Sequence, residues 1–120
     1  MKDIFCKIID NEIPSKVIFE DEIVKVIMDV NPRSDGHLLV IPINHYQDFF
    51  DIESSVLEHI LKITKEVCML VSKRLECDGF TLEQNNGISQ EVKHFHLHII
   101  PNYKNKKGIS NIDDVYSKLV

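Results

Sequence analysis

The chain has 120 residues, a size that suits one compact domain, with 43% hydrophobic and 28% charged residues, enough for a core and a soluble surface. Fourteen Lys and Arg against nineteen Asp and Glu give a formal net charge of −5. That balance argues against nonspecific nucleic-acid binding, which basic patches drive, while leaving room for a small anionic ligand held by local donors. Cys6, Cys68 and Cys77 are odd in number and widely spaced, so they read as thiols in a reducing, cytoplasmic setting and not as a disulfide framework. No apolar run approaches the roughly 20 residues of a membrane span, and the N-terminus does not read as a signal peptide.

In chain order, Asp3 is placed to cap a short helix over about residues 4–11, with Phe5, Ile8 and Ile9 on one face and Pro14 marking its end. Residues 17–20 and 23–28 are β-rich and read as a hairpin. Asn31-Pro32-Arg33-Ser34-Asp35-Gly36 is a turn-rich loop, and residues 37–41 form an apolar strand closed by Pro42. Ser55-Val56-Leu57-Glu58 has the form of a capping box, followed by an amphipathic helix to about Leu75. Its expected buried stripe is Leu57, Ile60, Leu61, Thr64, Val67, Cys68, Val71 and Leu75. Residues 80–84 and 92–100 supply two further strands. The expected fold is therefore α+β: an antiparallel five-stranded sheet with one long helix and a short N-terminal helix, forming a single domain over 1–120. Residues from about 102 to 120 read as a polar tail.

Half of the six histidines fall at 94, 96 and 98. Residues two apart in a strand share a face, so the three imidazoles line one side, while Phe95, Leu97 and Ile99 point into the core. Three uses fit such a row: a solvated surface, a metal site, or nucleophile and proton donors around an oxyanion.

The stretch His94-Phe95-His96-Leu97-His98-Ile99-Ile100 matches His-φ-His-φ-His-φ-φ, the signature of the histidine triad family, where φ is apolar. Ile4-Phe5-Cys6-Lys7-Ile8-Ile9, Glu12-Ile13-Pro14, Phe19-Glu20-Asp21 and Gly36-His37-Leu38-Leu39-Val40-Ile41-Pro42 also resemble its nucleotide-binding branch, so the likeness covers roughly the first hundred residues. The resemblance implies a homodimeric hydrolase that binds purine nucleoside monophosphates and cleaves nucleoside phosphoramidates through a nucleotidyl-histidine. It assigns the nucleophile to His96, the phosphate contact to His98, and supporting roles to His94 and His37. Asp29 falls at the ribose-binding acid, Phe5, Ile8, Ile27 and Val30 at the walls around the base, and Asn85 and Gln90 in the phosphate-wrapping loop. Without the resemblance, those apolar residues read as ordinary core, and Asp29 reads equally well as a turn acid before Asn31-Pro32.

That loop departs from the family form. Between Asn85 and His94 the spacer is about two residues shorter, Ser89 stands where Gly is usual, and Glu91 where some relatives have Ser. The resemblance implies no cofactor for catalysis. Many bacterial relatives hold structural zinc through Cys-x-x-Cys and two histidines, and the matching positions here are Asp3, Cys6, His45 and His94, a chemically possible tetrahedral set; the alternative is that the site was lost, as in relatives with neither cysteine. Two alternatives stay open: a dinucleoside polyphosphate hydrolase, and a nucleotide-binding regulatory protein with little activity.

Overall fold

A computed structural model describes residues 2–105 and 108–120. In chain order it contains α1 (Ile4–Ile9), β1 (Val17–Glu20), β2 (Val24–Met28), β3 (Leu38–Pro42), α2 (Ser54–Leu75), β4 (Gly79–Glu83), a 3₁₀ turn (Gly87–Ser89), β5 (Leu97–Asn102) and α3 (Ile112–Leu119). The strands form one antiparallel sheet in the order β1-β2-β3-β5-β4. The expected class holds, with one helix added at the C-terminus.

The pleat sorts the strand residues into two cores. Val24, Val26 and Met28 of β2, Leu38 and Val40 of β3, and Leu97 and Ile99 of β5 face α2, where Ile60, Ile63, Val67 and Val71 meet them. On the opposite face Ile27, Leu39 and Ile41 pack with Phe5 and Ile8 of α1. The register sets Leu39 opposite His98 and Leu38 opposite Ile99, so the histidine side of β5 lies on the α1 face.

Several local expectations need correction. Asp3 does cap α1, its Oδ1 accepting from Cys6 N–H at 2.8 Å. The long helix instead starts at Ser54 with Glu53 as N-cap and no side-chain cap bond, so Ser55-Val56-Leu57-Glu58 is not its capping box. Leu61 is exposed and Ile63 is buried in its place, because the core-facing stripe is narrower than the full run of apolar positions. Ladder pairing in β5 begins only at Leu97. His94, Phe95 and His96 approach it as unpaired chain, with Phe95 N–H donating to Tyr46 O at 2.6 Å.

The C-terminal segment is more than a polar tail, although positions 106 and 107 lie outside the described residues. Asn111 caps α3 through Asp113 N–H and Asp114 N–H, and Val115 and Leu119 are buried in the α2-side core. Tyr116 Oη donates to Val17 O at 3.0 Å, tying α3 to the sheet edge.

Gly36 has φ +86°, and a Cβ there would stand 2.5 Å from Leu75 Cδ1 and 3.2 Å from Pro101 Cγ. Only glycine meets both demands. It lets the 31–36 loop close tightly over the end of α2 and deliver His37 to the α1 face of the sheet.

Candidate active site

A cavity of about 630 Å³ opens on the α1 face, within the range of small-molecule sites. Phe5 and Ile8 of α1, Ile27 of β2 and Val30 wall one part of it, while Asp29, Asn85, His37, His96 and His98 also line it. Nine of the eleven expected catalytic and nucleotide-binding positions, all but His94 and Gln90, converge on this one concavity although they come from five separate stretches of chain.

The hydrogen bonds around the histidines fix their proton positions. Arg33 N–H donates to His37 Nδ1 at 3.0 Å, so the proton of neutral His37 is on Nε2. That nitrogen lies 3.0 Å from His98 Nδ1 and 3.4 Å from Asp29 Oδ2. His98 therefore accepts on Nδ1 and carries its own proton on Nε2. His96 Nδ1 lies 2.8 Å from His94 O, a contact that requires Nδ1–H and leaves the lone pair on Nε2. Neither His96 Nε2 nor His98 Nε2 has a hydrogen-bond partner among the described residues.

Burial, with the neighbouring imidazoles of His96 and His37 adding to it, lowers His98 to about 4. Burial also lowers His37, against the opposing pull of Asp29. Both rings are thus neutral near pH 7, the state the hydrogen-bond chain requires. Asp29 serves the backbone as well as the cavity: its Oδ1 accepts from Asn31 N–H at 2.8 Å while Oδ2 faces the histidines.

Two expected residues sit elsewhere. Gln90 is buried but does not line the cavity; its Nε2 donates to Gln47 O and its Oε1 has no partner. The short 85–91 loop pulls this side chain toward the 46–51 segment. The ring of His94 also turns away from the cavity, and only its carbonyl reaches His96. Asn85 lines the cavity as expected, while the amide of its neighbour Asn86 is engaged by Phe49 N–H and Gln84.

The ring of His94 instead belongs to a second cluster. Its Nε2 lies 3.1 Å from Pro42 O, which places the proton there and turns the Nδ1 lone pair toward Cys6 Sγ at 3.5 Å and Asp3 Oδ2 at 3.3 Å. His45 Nε2 is 3.1 Å from Asp3 Oδ2. The four donor atoms lie within 4.8 Å of one another, and the Pro42 contact is the outer-shell partner that ligating histidines usually have. Asp3, Cys6, His45 and His94 therefore fit a tetrahedral ion such as zinc. A further grouping, Asp29, His37 and His98, shares that proximity, but its facing nitrogens are already joined by a hydrogen bond.

Sequence reading did not single out Arg33 and Glu83. Arg33 Nη1 and Nη2 bind Glu83 Oε1 and Oε2 at 3.1 and 2.6 Å, and Glu83 stands opposite His98 in the β4–β5 register. Both line the cavity. Nothing in the local sequence marks either one, because the pair exists only once β4 lies beside β5.

The family model for the HIT domain matches residues 10–105. The chain belongs to the HIT family. An uncharacterized HIT-like protein of Methanocaldococcus jannaschii is 43% identical over 114 residues, covering 93% of this chain and 88% of the relative. The adenosine 5′-monophosphoramidase of Saccharomyces cerevisiae is 37% identical over 108 residues, covering 88% of this chain and 66% of the yeast protein. Among solved structures, a zinc-bound histidine triad family protein from Mycobacterium smegmatis superposes with TM-score 0.92 at 28% identity, over 99% of this chain and 91% of that one. The HIT fold thus accounts for the sheet order and for the triad strand lying between β3 and β4.

Proposed function

We propose that this HIT protein is a nucleotide hydrolase that cleaves purine nucleoside phosphoramidates, or related nucleotidyl bonds, through a nucleotidyl-His96 intermediate. The observation that carries the reading is the complementary protonation of two neighbouring rings. His96 offers a lone pair on Nε2, and His98 offers an N–H on Nε2, with ring centroids 4.9 Å apart. The likeness to the yeast adenosine 5′-monophosphoramidase supports the same class.

In the first step His96 Nε2 attacks the α-phosphorus and the bond to the leaving nitrogen breaks. The amine departs with a proton taken from solvent. The imidazole, now phosphorylated on Nε2 and protonated on Nδ1, is cationic, and His94 O stabilises it. His98 Nε2–H donates to the phosphoryl oxygens as charge builds on them. In the second step water attacks the phosphorus, the bond to His96 breaks, and a proton returns to solvent. Splitting one displacement into two lowers each barrier. Asp29 receives the ribose hydroxyls, Phe5, Ile8, Ile27 and Val30 flank the base, and Asn85 contacts the phosphate side.

Charge favours a phosphoramidate over a dinucleoside polyphosphate. Arg33 is the only Lys or Arg among the described residues lining the cavity, it is paired with Glu83, and Glu91 adds a further acid. A polyphosphate would bring several negative charges to a lining with little to meet them.

No cofactor takes part in these steps. The Asp3 cluster would hold structural zinc, joining α1 to the segment around His94. A homodimer through α2 and β4 fits the exposed Leu61, Met69 and Leu82 and the open edge of β4. The three free thiols suit the cytoplasm. Among the described residues no helix is long and apolar enough to cross a membrane.

The test is turnover of an adenosine 5′-phosphoramidate by wild type and His96→Ala, with intact-mass detection of a nucleotide adduct. Wild type is expected to form the adduct on His96 and the variant to lose turnover. Equal rates in the two proteins would end the assignment.

A further inference from the structure

Lys25 is the second residue of β2, is 1% exposed, and takes no part in the chemistry above. Lysine is almost never fully buried without a partner, because removing an ammonium from water is costly. Its hydrogen-bond acceptors lie on α1 and the turn that follows, and its charged partner lies opposite it on β1. Nζ donates to Ile8 O at 3.1 Å and to Asn11 Oδ1 at 3.3 Å, with Glu20 Oε1 at 3.8 Å. A cation at the carbonyl end of a helix is favourably placed. Lys25 also shares its strand face with Ile27, two residues on, and that face carries the cavity.

α1 is six residues long, too short to hold its conformation unaided. Its start is fixed at Asp3 and Cys6, and its end is fixed by the Lys25 ammonium. Between these points Phe5 rests on His96 with ring centroids 4.7 Å apart, and Ile8 lines the cavity. We propose that Lys25 is a positioning residue for the nucleoside wall: its ammonium holds the end of α1, and with it Ile8 and Phe5, against the cavity. The inference rests on the nucleotidyl-transfer reading of that cavity and adds a determinant of base binding outside it.

The experiment compares wild type with Lys25→Met on two substrates, adenosine 5′-phosphoramidate and ribose 5-phosphoramidate, which lacks the base. Met keeps most of the volume of the lysine stem, and the one charged partner, Glu20, is half-exposed, so the substitution leaves no buried charge unpaired. KM for the nucleoside substrate is expected to rise about tenfold with kcat within about twofold, since misplaced binding groups weaken ground-state contacts. kcat/KM for the base-free substrate should stay unchanged. An unchanged KM in a folded variant, or equal losses on both substrates, would overturn the proposal. If Lys25→Met does not fold, Asn11→Gly removes one acceptor while keeping the positive φ of 60°. It should raise the nucleoside KM about two- to threefold, and no change would count against the latch. If wild type turns over neither substrate, the functional reading has failed, and the latch is then judged by binding alone. Lys25→Met should bind adenosine monophosphate about tenfold more weakly and ribose 5-phosphate equally well; equal affinity for adenosine monophosphate would overturn it.

Discussion

His37 Nε2 lies 3.0 Å from His98 Nδ1, and this one contact decides which nitrogen of His98 faces the cavity with a proton. The chain from Arg33 N–H through His37 to His98 runs in a single direction. His37→Phe keeps ring bulk and removes both polar atoms. It should lower kcat about a hundredfold with a smaller change in KM, as expected when a proton-bearing group loses its orientation. Steady-state kinetics on a nucleoside phosphoramidate measure this, and an unaltered kcat would remove His37 from the mechanism.

Stability should fall on acidification through the weakly acidic range. An unfolded histidine titrates near 6.5, whereas burial holds folded His98 at about 4. Between those values the unfolded chain binds a proton that the folded chain refuses, so the stability present at pH 7 is lost as the pH drops from about 6.5 toward about 4. Thermal melts across this range should show the loss in wild type. His98→Asn should flatten part of it, leaving the share that belongs to His37 and His94, which burial also lowers.

Gly36→Ala should destabilise the fold by about 1–3 kcal/mol, the usual scale for a non-glycine residue forced into strained backbone. The added methyl meets Leu75 Cδ1 at 2.5 Å, and His37 is the next residue, so activity should fall with stability. Urea denaturation and kinetics on the same sample check both. A variant of wild-type stability would contradict the close approach.

Zinc should bind at about one ion per chain and raise the melting temperature relative to chelator-treated protein, because an ion that binds only the folded state stabilises it. Cys6→Ser and His45→Ala should each weaken uptake about tenfold or more. Elemental analysis and melts with and without zinc read this out. Stoichiometry below about a tenth of an equivalent would sink the assignment.

Much of the site was legible because its parts are periodic. Histidines at 94, 96 and 98 point to a shared face through a two-residue repeat; His96 and His98 keep it at the cavity although the β5 ladder starts only at Leu97, while the His94 ring turns to the Asp3 cluster. Residues whose role depends on which strands become neighbours were not legible. Glu83 meets Arg33 only through the β4–β5 register, and Lys25 finds its helix acceptors only once α1 folds across β2. The last helix is marked in the sequence itself. Asn111 is a good cap, Asp113 and Asp114 sit in the first turn, and Ile112, Val115 and Leu119 recur at helical spacing. The displacement of Gln90 had no such sign, since it follows from a short loop finding a nearby carbonyl.

The strand order β1-β2-β3-β5-β4 also sets a timetable for synthesis. β3 and β4 are made before the strand that must lie between them, so a growing chain carries a gap in its sheet until residues 97–102 leave the ribosome. During that interval the facing edges of β3 and β4 both have unpaired backbone groups, the condition that invites a wrong strand to add. The triad is on the segment that closes the gap. No partial chain can therefore assemble the catalytic histidines before the sheet is sealed.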